Sequence, residues 1–369
     1  MHDHWIAERM SRIETSGIRR VFDLGKKLTN PINLSIGQPH FPVPDVVQQA
    51  AISAIQHGGN GYSVTQGVAS LLQKLKLQTQ TRLPGQKREL LVTSGTSGAL
   101  VLAMISSVNP GDEVIIFDPY FVAYPNLIAI AGGVPVIIDT YPDFQIDVEK
   151  VRAAITPRTK MIIFSSPANP TGITTPRETL QALVELAKEH QILLVSDEIY
   201  RAFWYDGPFC SASEFDENVL VVDGFGKTYA VTGWRLGFAH GPAKLIDKMA
   251  TAQQFTFVCA PQPFQLAAEA MLDYDVTSIV DDYRKKRVRI CDELADCYKF
   301  NRSQGAFYLF AEAPGGDANR FFEAALEKNL LIIPGGAFSK RNTHFRVSFA
   351  ADDETLSRGI AVLKELAAG

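Results

Sequence analysis

Residues 218–238 read NVLVVDGFGKTYAVTGWRLGF, an apolar β-branched run closing on Asp223 and followed at once by Gly224-Phe225-Gly226-Lys227-Thr228. The run has the character of a strand covered on both faces, since it is apolar without alternation. The lysine behind it invites comparison with the nucleotide phosphate loop, whose pattern is GxxxxGK[ST]. That pattern requires a glycine five residues before Gly226, and the residue there is Val221. No helical pattern follows Thr228 either, because YAVTGW contains β-formers and a glycine. Spacing and context exclude the nucleotide loop. A lysine among aromatic residues and glycines, with Arg235 close behind, has another use. Burial and a neighbouring cation lower an amine's pKa, and a neutral amine attacks an aldehyde.

Working outward, the same kind of run recurs as ELLVTS, EVIIFD, PVIIDT, KMIIFSS and ILLVSD, each separated from the next by helix-like segments. PDVVQQAAISAIQHGG has helical spacing of apolar residues and a stop at Gly58; ALVLAMISSV is apolar all round and is expected to be buried. Between KMIIFSS and ILLVSD a helix is predicted with Thr175 as N-cap, Pro176 at its first position and Glu178 completing a capping box. Strands apolar on both faces, alternating with helices, predict an α/β fold with a mostly parallel sheet covered by helices on both faces. After about residue 276 the style changes to a charged amphipathic helix, then GAFYLFAE, another helix, LLIIPGG and HFRVSFA. The expected organisation is a large domain over 44–276 and a smaller α+β domain built from 277–369 together with 1–43.

Composition narrows the function. In a chain of 369 residues, 46% hydrophobic content is enough for a substantial core. A formal net charge of -4 argues against nucleic acid as a partner held by general attraction. The basic run Arg284-Lys285-Lys286-Arg287 is expected to be a solvated helix face. Cys210, Cys259, Cys291 and Cys297 form no CxxC pair, so reduced thiols and a cytoplasmic location are expected. The charged start MHDHWIAERMSRIE lacks the apolar core of a secretion signal, and no stretch has the length of a membrane span. His2 and His4 have no further ligands beside them, so a mobile tail is expected there and no metal.

In parallel α/β sheets ligands bind beyond the carboxyl ends of the strands. After ELLVT comes Ser94-Gly95-Thr96-Ser97-Gly98 at the start of a helix, an outline of an anion cradle. Pro119, Tyr120 and Phe121 follow EVIIFD, Asn169 follows KMIIFSS, and Asp197, Glu198 and Tyr200 follow ILLVS. An acid at the end of an apolar strand is costly to bury without a cationic or hydrogen-bonding partner. A reactive lysine, a phosphate cradle, an acid and an aromatic ring together make up what pyridoxal 5′-phosphate needs.

The chain resembles the class I/II aminotransferases, fold type I pyridoxal-phosphate enzymes of the aspartate-aminotransferase superfamily. The resemblance runs along nearly the whole sequence through INLSIGQPHFPVP, GYSVTQG, TSGTSGAL, DPYFVAYP, SSPANPTG, VSDEIY, GKTYAVTGWRLGF, GAFYLF and FRVSFA, in that family's order. It implies that Lys227 forms the Schiff base with the cofactor and later moves the proton, and that Asp197 pairs with the pyridinium nitrogen. It implies that Tyr200 and Asn169 bond the cofactor's phenolic oxygen and that Phe121 stacks on the ring. Gly95, Thr96 and Ser97 would cradle the phosphate with Arg235. Arg346 would take the substrate α-carboxylate in a fork, beside Asn169 and with Gly37 approaching through its backbone. Tyr62 would reach the phosphate of a neighbouring subunit, which implies a homodimer with shared sites.

Two positions depart from the family's pattern. Gly226 and Gly224 stand where many relatives have hydroxyl residues, so a phosphate contact is expected to be lost or supplied by Thr96 and Ser97. Ser97 stands where some relatives that act on acidic substrates have lysine. The resemblance implies ping-pong transfer of an amino group between an amino acid and a 2-oxo acid. The alternative on the same scaffold is a carbon–sulfur β-lyase. A transcription regulator with a domain of this kind would need a DNA-binding module, and no helix-turn-helix pattern precedes LSIGQP.

Overall fold

The computed structural model describes residues 3–13 and 17–368. His2 lies outside them, His4 is exposed, and no metal-holding group of His, Cys, Asp or Glu occurs among the described residues. The strands are β1 (Ile32–Asn33), β2 (Glu89–Thr93), β3 (Glu113–Asp118), β4 (Val134–Asp139), β5 (Thr159–Ser165), β6 (Leu193–Asp197) and β7 (Leu220–Gly224). They continue with β8 (Gly237–Gly241), β9 (Tyr308–Glu312), β10 (Leu330–Leu331), β11 (Ile333–Pro334) and β12 (His344–Ser348).

A seven-stranded sheet has the order β2-β8-β7-β6-β5-β3-β4. β3 to β7 pair in parallel, whereas β8 runs antiparallel to both its neighbours, β7 and β2. Side chains alternate across the sheet, and both faces are apolar as the uninterrupted sequence runs require. Val114, Ile116, Ile163, Val195 and Val222 form one core with the helix Gly95–Ser107. Ile115, Ile162, Leu194 and Val221 form the other with the helix Arg177–Glu189. Each such side chain taken fully out of water contributes about 1.5–3 kcal/mol. β4 closes one edge and is half-exposed there, with Val134 at 44%.

A further core surrounds the antiparallel sheet β11-β12-β9 and is rich in aromatics, including Phe307, Tyr308, Phe310, Phe345 and Phe349. The early chain joins it. β1 pairs in parallel with β10, Ser348 N–H donates to the Leu34 carbonyl at 2.7 Å, and Val21 of the helix Gly17–Gly25 is buried in the same core.

Two local expectations are corrected. The helix expected to start at Pro176 begins at Arg177, its N-cap is Pro176, and no capping box forms. Thr175 instead gives its N–H to Ser166 Oγ at 3.0 Å, which ties it to the loop after β5. The basic run is only partly a solvated face. Lys286 and Arg287 are buried, Lys286 donating to Asp353 at 2.6 Å and Arg287 to Asp206 at 2.7 Å and to the Ser303 carbonyl at 3.2 Å. Acids supplied by distant segments make that burial possible.

Candidate active site

Strand ends gather the polar residues at one edge of the large sheet. β6 delivers Asp197 and, beyond it, Tyr200; β7 delivers Gly224 and a single helical turn, Phe225–Thr228, that carries Lys227. β8 is reversed, so its beginning reaches this same edge and brings Arg235 and Gly237 with it. β2 ends at Thr93, and the helix Gly95–Ser107 starts there. β12 of the three-stranded sheet contributes Arg346. Of these, Gly95, Asp197, Tyr200, Lys227, Arg235 and Arg346 line one cavity of about 310 Å³, with Gly37, Thr96, Ser97, Phe121 and Asn169. A wider groove of about 800 Å³ opens near the opposite ends of the strands, and neither Asp197, Lys227, Arg235 nor Arg346 lines it.

Lys227 Nζ donates to the Gly37 carbonyl and lies 5.9 Å from the centre of the Tyr200 ring. Burial pushes its amine down to about 8, and the nearby cations Arg346 and Arg235 act in the same direction. Asp197 is buried, accepts from Tyr124 Oη at 2.8 Å and from the Ile199 N–H at 3.3 Å, and is pushed up to about 6 by burial. The carboxylate therefore has a cost in the protein alone that a cationic group in the cavity would offset. Glu198, next in sequence, bonds Ser196 and Ser211 and is absent from the cavity lining.

Arg346 is buried and held on several sides. Nη1 donates to Asn169 Oδ1 at 2.9 Å, Nη2 to the Ser35 carbonyl at 2.7 Å, and the guanidinium stacks 4.4 Å from the Tyr308 ring and 4.8 Å from Phe338. Its Nε is buried with no hydrogen-bond partner among the described residues. An orphaned donor on a fixed guanidinium is suited to a carboxylate brought in by a ligand. Asn169 spends its oxygen on Arg346, which leaves its amide nitrogen as the group able to donate to a second ligand oxygen. Tyr200 Oη bonds Tyr308 Oη at 2.7 Å, and Phe121 meets Tyr124 edge-on at 5.6 Å.

The anion cradle is shaped by missing side chains. Gly95 has φ +72°, and a Cβ there would lie 2.7 Å from Arg235 Nη2. A Cβ on Gly237 would lie 2.7 Å from Thr96 N, so both glycines keep the helix start open. Arg235 adopts φ +52° and is anchored by Nη1 on the Thr232 carbonyl at 2.7 Å. The two glycines before Lys227 differ. A Cβ at Gly224 would press on Thr96 Cγ2 at 3.1 Å and on the Gly237 Cα at 3.2 Å, so Thr96 already occupies that side. At Gly226 the nearest atom, Thr232 Cα, is 3.4 Å away, and a small side chain fits. Pyridoxal phosphate fits this donor set: an accessible amine, a buried acid, a glycine-framed helix start with an arginine, and an aromatic wall.

Tyr62 is not brought into the cavity of its own chain and is 86% exposed. Its loop is nonetheless held firmly. Gln253 donates to the carbonyls of Thr65 and Val92 at 2.7 and 2.9 Å, and Gln265 accepts from the Val68 N–H at 2.8 Å while donating to Ser63 Oγ at 3.0 Å. Sequence reasoning assigned no role to Tyr124, Tyr308, Ser35, Ile18, Phe22 or Ile36. Tyr124 and Tyr308 lie within quoted motifs, DPYFVAYP and GAFYLF, and a polar ring in such a run was the available signal.

The family model for "Aminotransferase class I and II" matches residues 29–363. The chain is 35% identical to a probable aspartate aminotransferase of Methanocaldococcus jannaschii, covering 98% of this chain and 99% of that protein. It is 35% identical to the aspartate/prephenate aminotransferase of Thermus thermophilus, over 92% of each chain. A solved structure, an aspartate aminotransferase from Thermus thermophilus with maleate, superposes with a TM-score of 0.93 at 32% identity, covering 98% of this chain and 99% of the other. The fold, the site and these relatives agree, and the chain belongs to the class I and II aminotransferases, pyridoxal-phosphate-dependent enzymes that transfer amino groups between amino acids and 2-oxo acids.

Proposed function

We propose that the residues of this cavity divide the work of transamination as follows. When bound, pyridoxal phosphate supplies an aldehyde for amine exchange and a ring that withdraws electrons from the carbon being deprotonated. Lys227 Nζ is the amine that holds the cofactor and afterwards carries the proton from the substrate Cα. Its pKa of about 8 keeps a useful fraction neutral near physiological pH. Asp197 would pair with the ring nitrogen and keep it protonated, gaining the cationic partner that its burial calls for. The Asn169 amide and Tyr200 Oη orient the ring oxygen, with Tyr200 steadied by Tyr308. Gly95, Thr96, Ser97 and Arg235 take the phosphate, and Phe121 covers the ring. Arg346 takes the substrate α-carboxylate, next to the Gly37 backbone.

The observation that carries this reading is the convergence of Lys227, Asp197 and the unpartnered Nε of Arg346 on one cavity. Single amino acids added to the loaded enzyme are expected to convert the cofactor spectrum stoichiometrically and to release one equivalent of 2-oxo acid. Continuous pyruvate and ammonia from cysteine derivatives would instead indicate the eliminating alternative.

We further propose a homodimer with shared sites, a reading that the surface around Tyr62 supports. Tyr62, Val64 and Phe255 are 86%, 69% and 81% exposed in the single chain, and Gln253 joins their segments. Phe257 belongs to the same surface and would be 4.0 Å from a Cβ on Gly98, close to the anion cradle. So much exposed apolar surface calls for a cover, and a second copy would bring Tyr62 to the neighbouring phosphate. Sedimentation is expected to give twice 40.6 kDa, and Phe255→Asp to give a monomer with little activity. A wild-type monomer with full activity would exclude sharing. We propose the division into a large domain at 44–276 and a small one at 1–43 with 277–369; the parallel pairing of β1 with β10 and the Ser348 N–H donated to the Leu34 carbonyl, which tie the first segment to the last, support it. A cytoplasmic location agrees with four unpaired cysteines, and cell fractionation would test it. No helix among the described residues is long and apolar enough to cross a membrane.

A further inference from the structure

We propose that the cavity selects an amino donor whose side chain is uncharged and apolar, aromatic or branched aliphatic, and that Ile18, Phe22 and Ile36 select it. The inference rests on the residue roles proposed above, because it counts which charges those roles leave over. The charged side chains lining the cavity are Asp197, Lys227, Arg235 and Arg346. With Arg346 on the α-carboxylate, Arg235 on the phosphate, and Lys227 and Asp197 on the cofactor, no cation among the described residues of this chain's lining remains for a second substrate carboxylate.

The wall left for the substrate side chain is apolar. Ile36 stands between Ser35, whose carbonyl takes Arg346 Nη2, and Gly37, whose carbonyl takes Lys227 Nζ. A substrate held by its α-carboxylate on Arg346 with its Cα at Lys227 therefore lies alongside Ile36. Ile18 and Phe22 complete the wall from the helix Gly17–Gly25, one turn apart and so on one face. The arginines between them, Arg19 and Arg20, are exposed and lie outside the cavity lining. Packing fixes this helix in place. Val21 is buried, a Cβ on Gly17 would lie 3.0 Å from Ala337 Cβ, and one on Gly25 would lie 2.7 Å from Leu331 Cδ1. Phe22 is 41% exposed, a large ring at the cavity rim whose cover is incomplete. A distal carboxylate placed against these three residues would lose water without gaining a countercharge. An apolar side chain there would gain contact.

Non-reacting carboxylates separate selectivity from chemistry. The cofactor-loaded enzyme is titrated with 3-phenylpropanoate, 4-methylpentanoate and succinate, and the dissociation constants are read by calorimetry. The two monocarboxylates are expected to bind at least about tenfold more tightly than succinate, the lower end of what a change in apolar contact gives. Phe22→Arg, at a half-exposed position that accommodates a charge, is expected to narrow or invert that ratio. Succinate binding as tightly as the monocarboxylates in the unmodified enzyme, or a ratio that Phe22→Arg leaves unchanged, overturns the proposal. In parallel, L-phenylalanine, L-leucine and L-aspartate are compared by conversion of the cofactor spectrum. Preferred binding of the monocarboxylates with no conversion by any amino acid would uphold the selectivity while overturning the catalytic roles. Faster conversion by aspartate than by phenylalanine or leucine overturns the selectivity alone.

Discussion

Lys227→Ala is expected to lower turnover on the order of 10⁴-fold or more, because it removes both the amine that holds the aldehyde and the base that moves the proton. Among the described residues Lys227 is the sole lysine lining the cavity, so no second amine of that lining stands ready to replace it. Its environment is suited to the task. Burial, Arg346 and Arg235 lower its pKa to about 8, while Asp197 opposes them. Below that value the neutral fraction falls about tenfold per pH unit, so the rate of cofactor loading onto the apoprotein should rise with pH and level off above 8. Borohydride reduction followed by peptide mapping should place the label on the peptide containing Lys227. Added methylamine should restore part of the Lys227→Ala activity, which distinguishes a missing amine from a collapsed site. Activity within tenfold of the unmodified enzyme would remove Lys227 from the mechanism.

Asp197→Asn is expected to act in opposite directions on activity and on stability. Asparagine keeps the shape and can still accept from Tyr124, but it cannot hold a proton on a ring nitrogen as an anion does. Turnover should fall on the order of 10³-fold, comparable with the loss of a preorganised electrostatic partner. The apoprotein, in contrast, should gain stability. Burial raises the Asp197 carboxyl from 3.8 to about 6, so ionising it costs the folded state about 3 kcal/mol at neutral pH. The sign follows from the raised value. The cost is absent below about pH 4, where the group is protonated folded or unfolded, develops between pH 4 and 6, and is complete above 6. Denaturant unfolding of the two apoproteins should therefore diverge above pH 4, with Asp197→Asn the more stable. Loading the cofactor should reverse the order, since only the carboxylate gains an ion pair from it. Equal stability of the two apoproteins at pH 7 would show that burial imposes no such cost.

The large sheet could be read from sequence because its strands are uninterrupted apolar runs, such as ILLV in ILLVSD and MIIF in KMIIFSS, with polar residues waiting at their carboxyl ends. Those ends then pointed to Asp197, Asn169 and Lys227 without any knowledge of their partners. What escaped was contact between distant segments. The burial of Lys286 depends on Asp353 and that of Arg287 on Asp206, which lie 67 and 81 positions away. The capping box failed for a similar reason, since Ser166 claims the Thr175 N–H from outside the helix. Tyr124 and Tyr308 are visible as letters within motifs, but the bond of Tyr124 to Asp197 exists only once the sheet has formed, and that of Tyr308 to Tyr200 only once β9 has packed beside it. Ile18 and Phe22 belong to a helix of nine residues whose packing partners, Ala337 and Leu331, lie more than 300 positions away.

The joining of β1 to β10, and of Leu34 to Ser348, has a consequence for how the enzyme comes into being. Arg346 binds the carbonyl of Ser35, so the substrate end of the cavity is built from the first tenth of the chain and its last tenth. During synthesis the large sheet can pair as soon as β8 has emerged, but the helix Gly17–Gly25 and Ile36 must wait for β10 and β12. Contacts of such sequence separation close late and slowly. On this order of emergence a nascent chain is expected to form its cofactor cradle before it has a place for a substrate, with competence arriving only when nearly the whole polypeptide has left the ribosome.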